Sequence, residues 1–236
     1  MTGDTRLPVL EEEIVSCRKC PRLVEYREKV AKEKRRAFRE WTYWGRPVPG
    51  FGDPRAELFI LGLAPAAHGG NRTGRVFTGD RSGDFLYAAL YKAGFANQPT
   101  SLRRGDGLVL KNVFIAAAVR CAPPANKPLP SEKLNCRGYL ERELALLRPK
   151  VLLALGKIAW DAYLDILKTE GVIASRAKFV FAHGAIAKLP GDGPRLVGVY
   201  HPSQRNTQTG RVTPEMYAKV LHRIQRLLAE PSKAST

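Results

Sequence analysis

Four cysteines, spaced as two pairs, are the first residues in this chain that could do chemistry. Cys17-x2-Cys20 lies near the start and Cys121-x14-Cys136 lies far along the chain. A C-x2-C pair presents two thiolates to one metal or cluster. A distant second pair would complete a four-thiolate set and staple the N-terminal segment to the body. Tetrahedral zinc and a 4Fe–4S cluster both accept four thiolates. A compact zinc ribbon uses two tight pairs, which Cys121-x14-Cys136 is not. Four reduced thiols with no common ligand is the plainer alternative.

A second set of candidates begins in a glycine-dense stretch holding Gly62, Gly69, Gly70, Gly74, Gly79 and Gly83. Glycine lets backbone approach a ligand closely and exposes its N–H groups. The stretch carries neither a Walker motif nor G-x-G-x-x-G, and an ordinary surface loop is the alternative reading. Phe77 sits inside it, either as a plug into the core or as a platform for a planar base. His201, just before Pro202, could donate a hydrogen bond to a developing anion or could be a satisfied structural residue. Arg205 and Arg211 follow, able to contact phosphate or simply to be solvated. The mixed-charge run KEKRRAFRE (32–40) reads as a solvated helix face. Trp41, Tyr43 and Trp44 after it read as packing residues, with a surface stack on a base as the alternative.

Alternating elements must position these residues. Nearly all-apolar runs at 58–63, 112–120, 151–156 and 196–202 read as strands buried on both faces. FVFAH (179–183) is a further candidate strand. Helical patterns cover 84–94, 131–150, 157–168 and 214–230, with Leu140, Leu144 and Leu147 on one face of the second. Residues 9–40 look helical, with a break or kink at Pro21, and 45–54 reads as loop. Apolar strands alternating with amphipathic helices predict an α/β fold around a mainly parallel sheet. Such sheets bind ligands beyond the carboxyl ends of their strands. The glycine-dense loop, RCAPPANKP and HPSQRNTQTGR would all open there.

The bulk numbers narrow the partner. The 236 residues carry 39 Lys+Arg against 22 Asp+Glu, a formal net charge of +17. That excess attracts polyanions, and nucleic acid is the first candidate. The N-terminal residues lack an apolar signal core and no run approaches membrane-spanning length, so a cytoplasmic protein with no membrane partner is expected. In that reducing compartment cysteines serve as metal ligands more often than as disulfides.

GLAPAAHGGNRTGRVFTGD (62–80) followed by SGDFL, and HPSQRNTQTGR (201–211), resemble the two signature motifs of family 5, or type b, uracil-DNA glycosylases. The resemblance runs from Cys17 to the final helix. It implies a three-layer α/β/α sandwich around a central four-stranded, mainly parallel sheet, as a single domain with residues 1–50 tied to the body by the cluster. The cysteine pattern resembles that of families 4 and 5, which implies a structural 4Fe–4S cluster on Cys17, Cys20, Cys121 and Cys136. The implied activity is removal of uracil, and of other deaminated or damaged bases, from DNA; no lysine sits in a motif that demands a Schiff base, so a monofunctional enzyme is expected, acting as a monomer. Related families place an Asn or Asp near Ala64; here Asp80 and Asn126 are the implied candidates to position water. His201 would stabilise the departing base and Phe77 would stack on it. Gly62, Ala64, Pro65, Ala66, His68, Ser203, Arg205 and Arg211 would line the substrate site. A cluster-bearing nucleic-acid-binding protein without catalysis and an electron-transfer protein are the rival classes.

Overall fold

The computed structural model of the chain describes residues 5–230. Four five-residue strands form the centre of the sheet: β2 (Leu58–Gly62), β3 (Val113–Ala117), β4 (Val151–Leu155) and β6 (Arg195–Val199). They run parallel in the order β3-β2-β4-β6. Every residue in them except Arg195 is buried, as the unbroken apolar runs require. Two-residue antiparallel strands flank this core: β1 (Phe51–Gly52) on β3 and β5 (Ile186–Ala187) on β6. The sheet is therefore mixed and six-stranded. Nothing in the composition of residues 45–54 marked β1. The strand expected over 179–183 is absent, and pairing with β6 occurs at Ile186–Ala187 instead.

Alternate residues of each strand face opposite layers. Leu58 and Ile60 join Leu86 and Leu90 of α4 (Arg81–Lys92) and Tyr217, Leu221 and Ile224 of α8 (Pro214–Ala229). Phe59 and Leu61 join Leu140 of α5 (Pro130–Leu147) and Trp160 and Leu164 of α6 (Lys157–Thr169). Leu144 and Leu147 pack against that second layer, as their spacing predicted. Helices thus cover both faces of the sheet.

The charged N-terminal run breaks earlier than Pro21. α1 spans Arg6–Ser16, and α2 spans Pro21–Glu33 with proline at its first turn, where no N–H is needed. Cys17 and Cys20 sit in the link between them. Leu10 and Ile14 of α1 pack with Tyr139 of α5. Arg22 of α2 pairs with Glu132 of α5 at 2.7 Å, and the same carboxylate accepts from the Leu129 N–H. Lys34 ends α2 at φ 57°, and a 3-10 turn at Arg36–Phe38 follows. Short helices α3 (Gly70–Thr73) and α7 (Gln204–Gln208) interrupt the two loops that read as irregular. Among the described residues no helix is long and apolar enough to cross a membrane.

Candidate active site

The loops after β2, β3 and β6 leave the sheet at one edge, the carboxyl ends of parallel strands. Asp80 ends the first loop and begins α4. It is the N-cap of that helix, its carboxylate accepting from the Gly83 N–H at 3.0 Å. The sequence pattern had started this helix at Asp84; the capping Asp80 extends it by a turn. Gly69 lies against the same carboxylate, where a Cβ would overlap it. Burial pushes the Asp80 carboxyl above its ordinary value; the Gly83 and Ser82 N–H groups and the Arg72 cation oppose that, while Asp84 adds to it.

Phe77 and His201 meet from different loops, ring centroids 6.0 Å apart. Phe77 lies over Gly62, and a Cβ there would come within 2.8 Å of the ring. The Phe77 backbone is left-handed, at φ 50°. Only part of the ring packs on the core, so both roles expected of it, plug and platform, are open to it. His201 is seated beside Gly156 at the end of β4. Its carbonyl accepts from the Asn206 amide at 2.8 Å, and Ser203 caps α7 through the Asn206 N–H. Burial pushes the His201 imidazole down to about 4, so it is neutral at physiological pH.

Asn126 is exposed, at φ 57° in the loop after β3. Among the described residues no hydrogen bond ties its side chain to Asp80 or His201. Pro65 is buried, and Ala66 accepts at its carbonyl from the Gly69 and Asn71 N–H groups. Ala64 packs against the buried group of Cys20, Leu23, Val119, Cys121 and Cys136. His68 bonds Tyr43 Oη through Nδ1 at 3.0 Å. Burial, with Arg35 and Arg72 nearby, lowers its ordinary value. Arg205 is exposed, and Arg211 lies over the Tyr200 ring at 4.9 Å.

The charged residues inside the first loop carried no functional expectation, yet they hold it together. Arg72 and Arg75 are 4% exposed. Arg75 makes a bidentate pair with Asp106 at 2.7 and 2.9 Å and also donates to Thr78 and Ser101. Trp41, Tyr43 and Trp44 pack on this loop, over Arg72, His68 and Gly74 respectively. The packing reading of these aromatics was correct. The arginines gave no sequence signal, because arginine among glycines reads as solvated.

The four cysteines are free thiols lining one small cavity with Leu23, Arg27 and Arg120. Arg27, fully enclosed, donates to Cys121 Sγ at 2.9 Å and to the Cys17 carbonyl. Asn135 donates to Cys20 Sγ at 3.4 Å. Burial pushes the Cys121 thiol up to about 12 and raises Cys136 as well. Among the described residues no three His, Cys, Asp or Glu side chains are placed to hold a single metal ion.

The family model of the uracil DNA glycosylase superfamily matches residues 49–225. The chain belongs to the uracil-DNA glycosylase superfamily. Its similarity to the type-5 branch is extensive. A type-5 uracil-DNA glycosylase of Mycobacterium leprae is 51% identical over 227 residues, covering 95% of this chain and 97% of that one. One from Thermus thermophilus is 52% identical, covering 91% and 94%. One from Pyrobaculum aerophilum is 46% identical, covering 89% and 88%. The α/β fold, with helices on both faces of a largely parallel sheet, agrees with that membership. Asp80 and Phe77 lie in the loop after β2 and His201 in the loop after β6, all within the matched residues.

Proposed function

We propose that this protein hydrolyses the N-glycosidic bond of uracil in DNA and so initiates base excision repair. The observation that carries this reading is about 50% identity to type-5 uracil-DNA glycosylases over nearly the whole chain. The loop chemistry supports it. A base must leave the stack and enter a pocket before its glycosidic bond can be reached. Phe77 offers a ring for it to lie on. As the C1′–N1 bond breaks, its electron pair stays with the base and the sugar becomes oxocarbenium-like. Asp80, ionised, stabilises that cation and orients water, which bonds to C1′ and gives up a proton. His201, neutral, donates an N–H to the growing negative charge of the base in the manner of an oxyanion hole. Asn126, exposed in the loop after β3, has both a donor and an acceptor to hold the water. Arg205, exposed, and Arg211, over the Tyr200 ring, could contact phosphates. No lysine sits in a motif that demands a Schiff base, so the enzyme is read as monofunctional.

We read the cysteine cavity as the site of a 4Fe–4S cluster. Its four thiols line one space. The buried Arg27 guanidinium supplies positive charge beside thiolates, and its Nε lacks a partner. Cys17, Cys20, Cys121 and Cys136 would hold the cluster, which would supply anchoring and no redox step. The protein is read as a cytoplasmic monomer.

The decisive assay is uracil release from end-labelled oligonucleotides, read by alkaline cleavage at the abasic site, beside matched substrates carrying hypoxanthine, xanthine, ethenocytosine or hydroxymethyluracil. Uracil excision supports the proposal; DNA binding without excision of any base would leave the non-catalytic reading.

A further inference from the structure

We propose that Arg72 is a positioning residue for the excision step, holding the peptide that leads into Asp80 and thereby coupling the N-terminal segment to the active site. The inference rests on the reading of Asp80 as the catalytic carboxylate.

Arg72 is buried in α3, and its guanidinium makes no ion pair within 4.0 Å among the described residues. A structural arginine of this burial is ordinarily paired, as Arg75 is with Asp106 and Arg120 with Glu143. Arg72 instead donates Nε to the His68 carbonyl and Nη2 to the Gly79 carbonyl, both at 2.7 Å. The Gly79 carbonyl belongs to the same planar peptide as the Asp80 nitrogen. One rigid fork therefore fixes both ends of the turn at 68–79 and the plane from which Asp80 departs. Gly79, at φ 74°, is pressed so close that a Cβ would strike the guanidinium. Phe38 and Trp41 also lie against the cation, with ring centroids 3.9 and 4.1 Å from Cζ.

Those rings come from the segment after α2, and the attachment continues through the backbone. The Trp44 N–H donates to the Arg72 carbonyl at 2.9 Å and the Gly45 N–H to the Asn71 carbonyl at 3.0 Å. The Asn71 amide donates to the Arg27 carbonyl at 3.2 Å. Arg27 is the residue whose guanidinium reaches Cys121 and Cys17. A continuous chain of hydrogen bonds and ring contacts thus runs from the cysteine cavity through α2 to Asp80. Charge follows geometry. The groups facing Asp80 are Arg72 from α3, which favours its ionised form, and Asp84 of α4, which opposes it; Tyr87 of α4 is also within electrostatic reach.

The test is single-turnover uracil excision and DNA Kd for Arg72→Lys, Arg72→Met, Asp80→Asn and the Arg72→Lys/Asp80→Asn double variant, with pH profiles from 5 to 9. Thermal melts establish that each is folded, and the lysine variant, which keeps the charge, stands in if the methionine variant does not fold. The expected result is an excision rate roughly ten-fold lower for lysine and on the order of 10²-fold lower for methionine, with Kd nearly unchanged. The acid limb should move to higher pH in Arg72→Met only. The double variant should be no slower than Asp80→Asn alone, because Arg72 acts through Asp80. Wild-type rates in folded Arg72 variants, or fully multiplicative losses in the double variant, would overturn the proposal while sparing Asp80. A near-wild-type rate for Asp80→Asn would remove the catalytic reading and this inference with it.

Discussion

At the scale of single residues, Asp80 serves two masters. As N-cap it stabilises α4, and as a partly enclosed carboxylate it resists ionisation. Asn keeps the cap acceptor and discards the charge. Asp80→Asn should therefore fold at least as well as the native chain. Its folded carboxyl titrates above its unfolded value, so the ionised form costs stability at neutral pH, and that cost disappears on acidification. A Tm raised by a few degrees at pH 7, at about 2–4 °C per kcal/mol, with the gain over wild type shrinking toward pH 4, is the expected result of scanning calorimetry. A fall in Tm would mean the charge is a net stabiliser. His201 makes the opposite pH prediction. Its folded value is depressed to about 4. The stability it contributes is full above the unfolded value near 6.5 and is lost as pH falls from there toward 4. His201→Gln should flatten the stability profile in that window. The excision rate should also show no inflection near 6.5 owed to His201, and one that vanished in His201→Gln would show that the imidazole titrates in the active enzyme. Residue types made the cysteines, Phe77 and His201 legible from the sequence, and motif resemblance added Asp80. Burial of Arg72 and Arg75 was not legible, because a charge is buried only when distant partners such as Asp106 come to meet it.

At the scale of elements, the four central strands were readable because a strand covered on both faces must be apolar throughout. β1 and β5 were not, since two-residue pairings are decided by what lies beside them, not by their own pattern. The start of α4 was missed by a turn, because the capping role of Asp80 is visible only in its bond to Gly83. The Arg75–Asp106 pair carries the prediction at this scale. Asp106 accepts from Arg75 and from the Leu102, Arg103 and Leu108 N–H groups, bracing the segment at 101–108 against Thr78 and the Gly79 N–H. Burial opposes its charge, but those donors outweigh burial and hold its carboxyl well below the usual range. Removing it leaves a buried cation unpaired. Asp106→Ala should cost about 3–5 kcal/mol in urea titration at pH 7. The difference from wild type should shrink as pH falls below about 4, where the native carboxylate's advantage over the unfolded chain is lost. A loss under about 1 kcal/mol would show that the brace is dispensable.

At the scale of the whole molecule, charge and the cysteine staple make separate predictions. A net charge of +17 should bring DNA on through phosphate contacts. With about 6–10 such contacts, affinity should fall about 10³–10⁵-fold between roughly 50 and 200 mM salt. A nearly flat salt dependence would contradict the electrostatic account. Anaerobically purified protein should hold about four irons and four sulfides per chain, the content of a 4Fe–4S cluster. Replacing Cys121 should lower stability and solubility by freeing the link between α2 and the body. Stoichiometric zinc without iron would overturn the cluster. The central claim, that this fold breaks a glycosidic bond with the Asp80 and His201 loops, has its most direct test in single-turnover uracil release by wild type, Asp80→Asn and His201→Gln, each with its DNA Kd. Full release by wild type, with both variants slower by about 10²–10³ at nearly constant Kd, is the predicted result. No release by wild type, or rates within a few-fold for both variants, would contradict it.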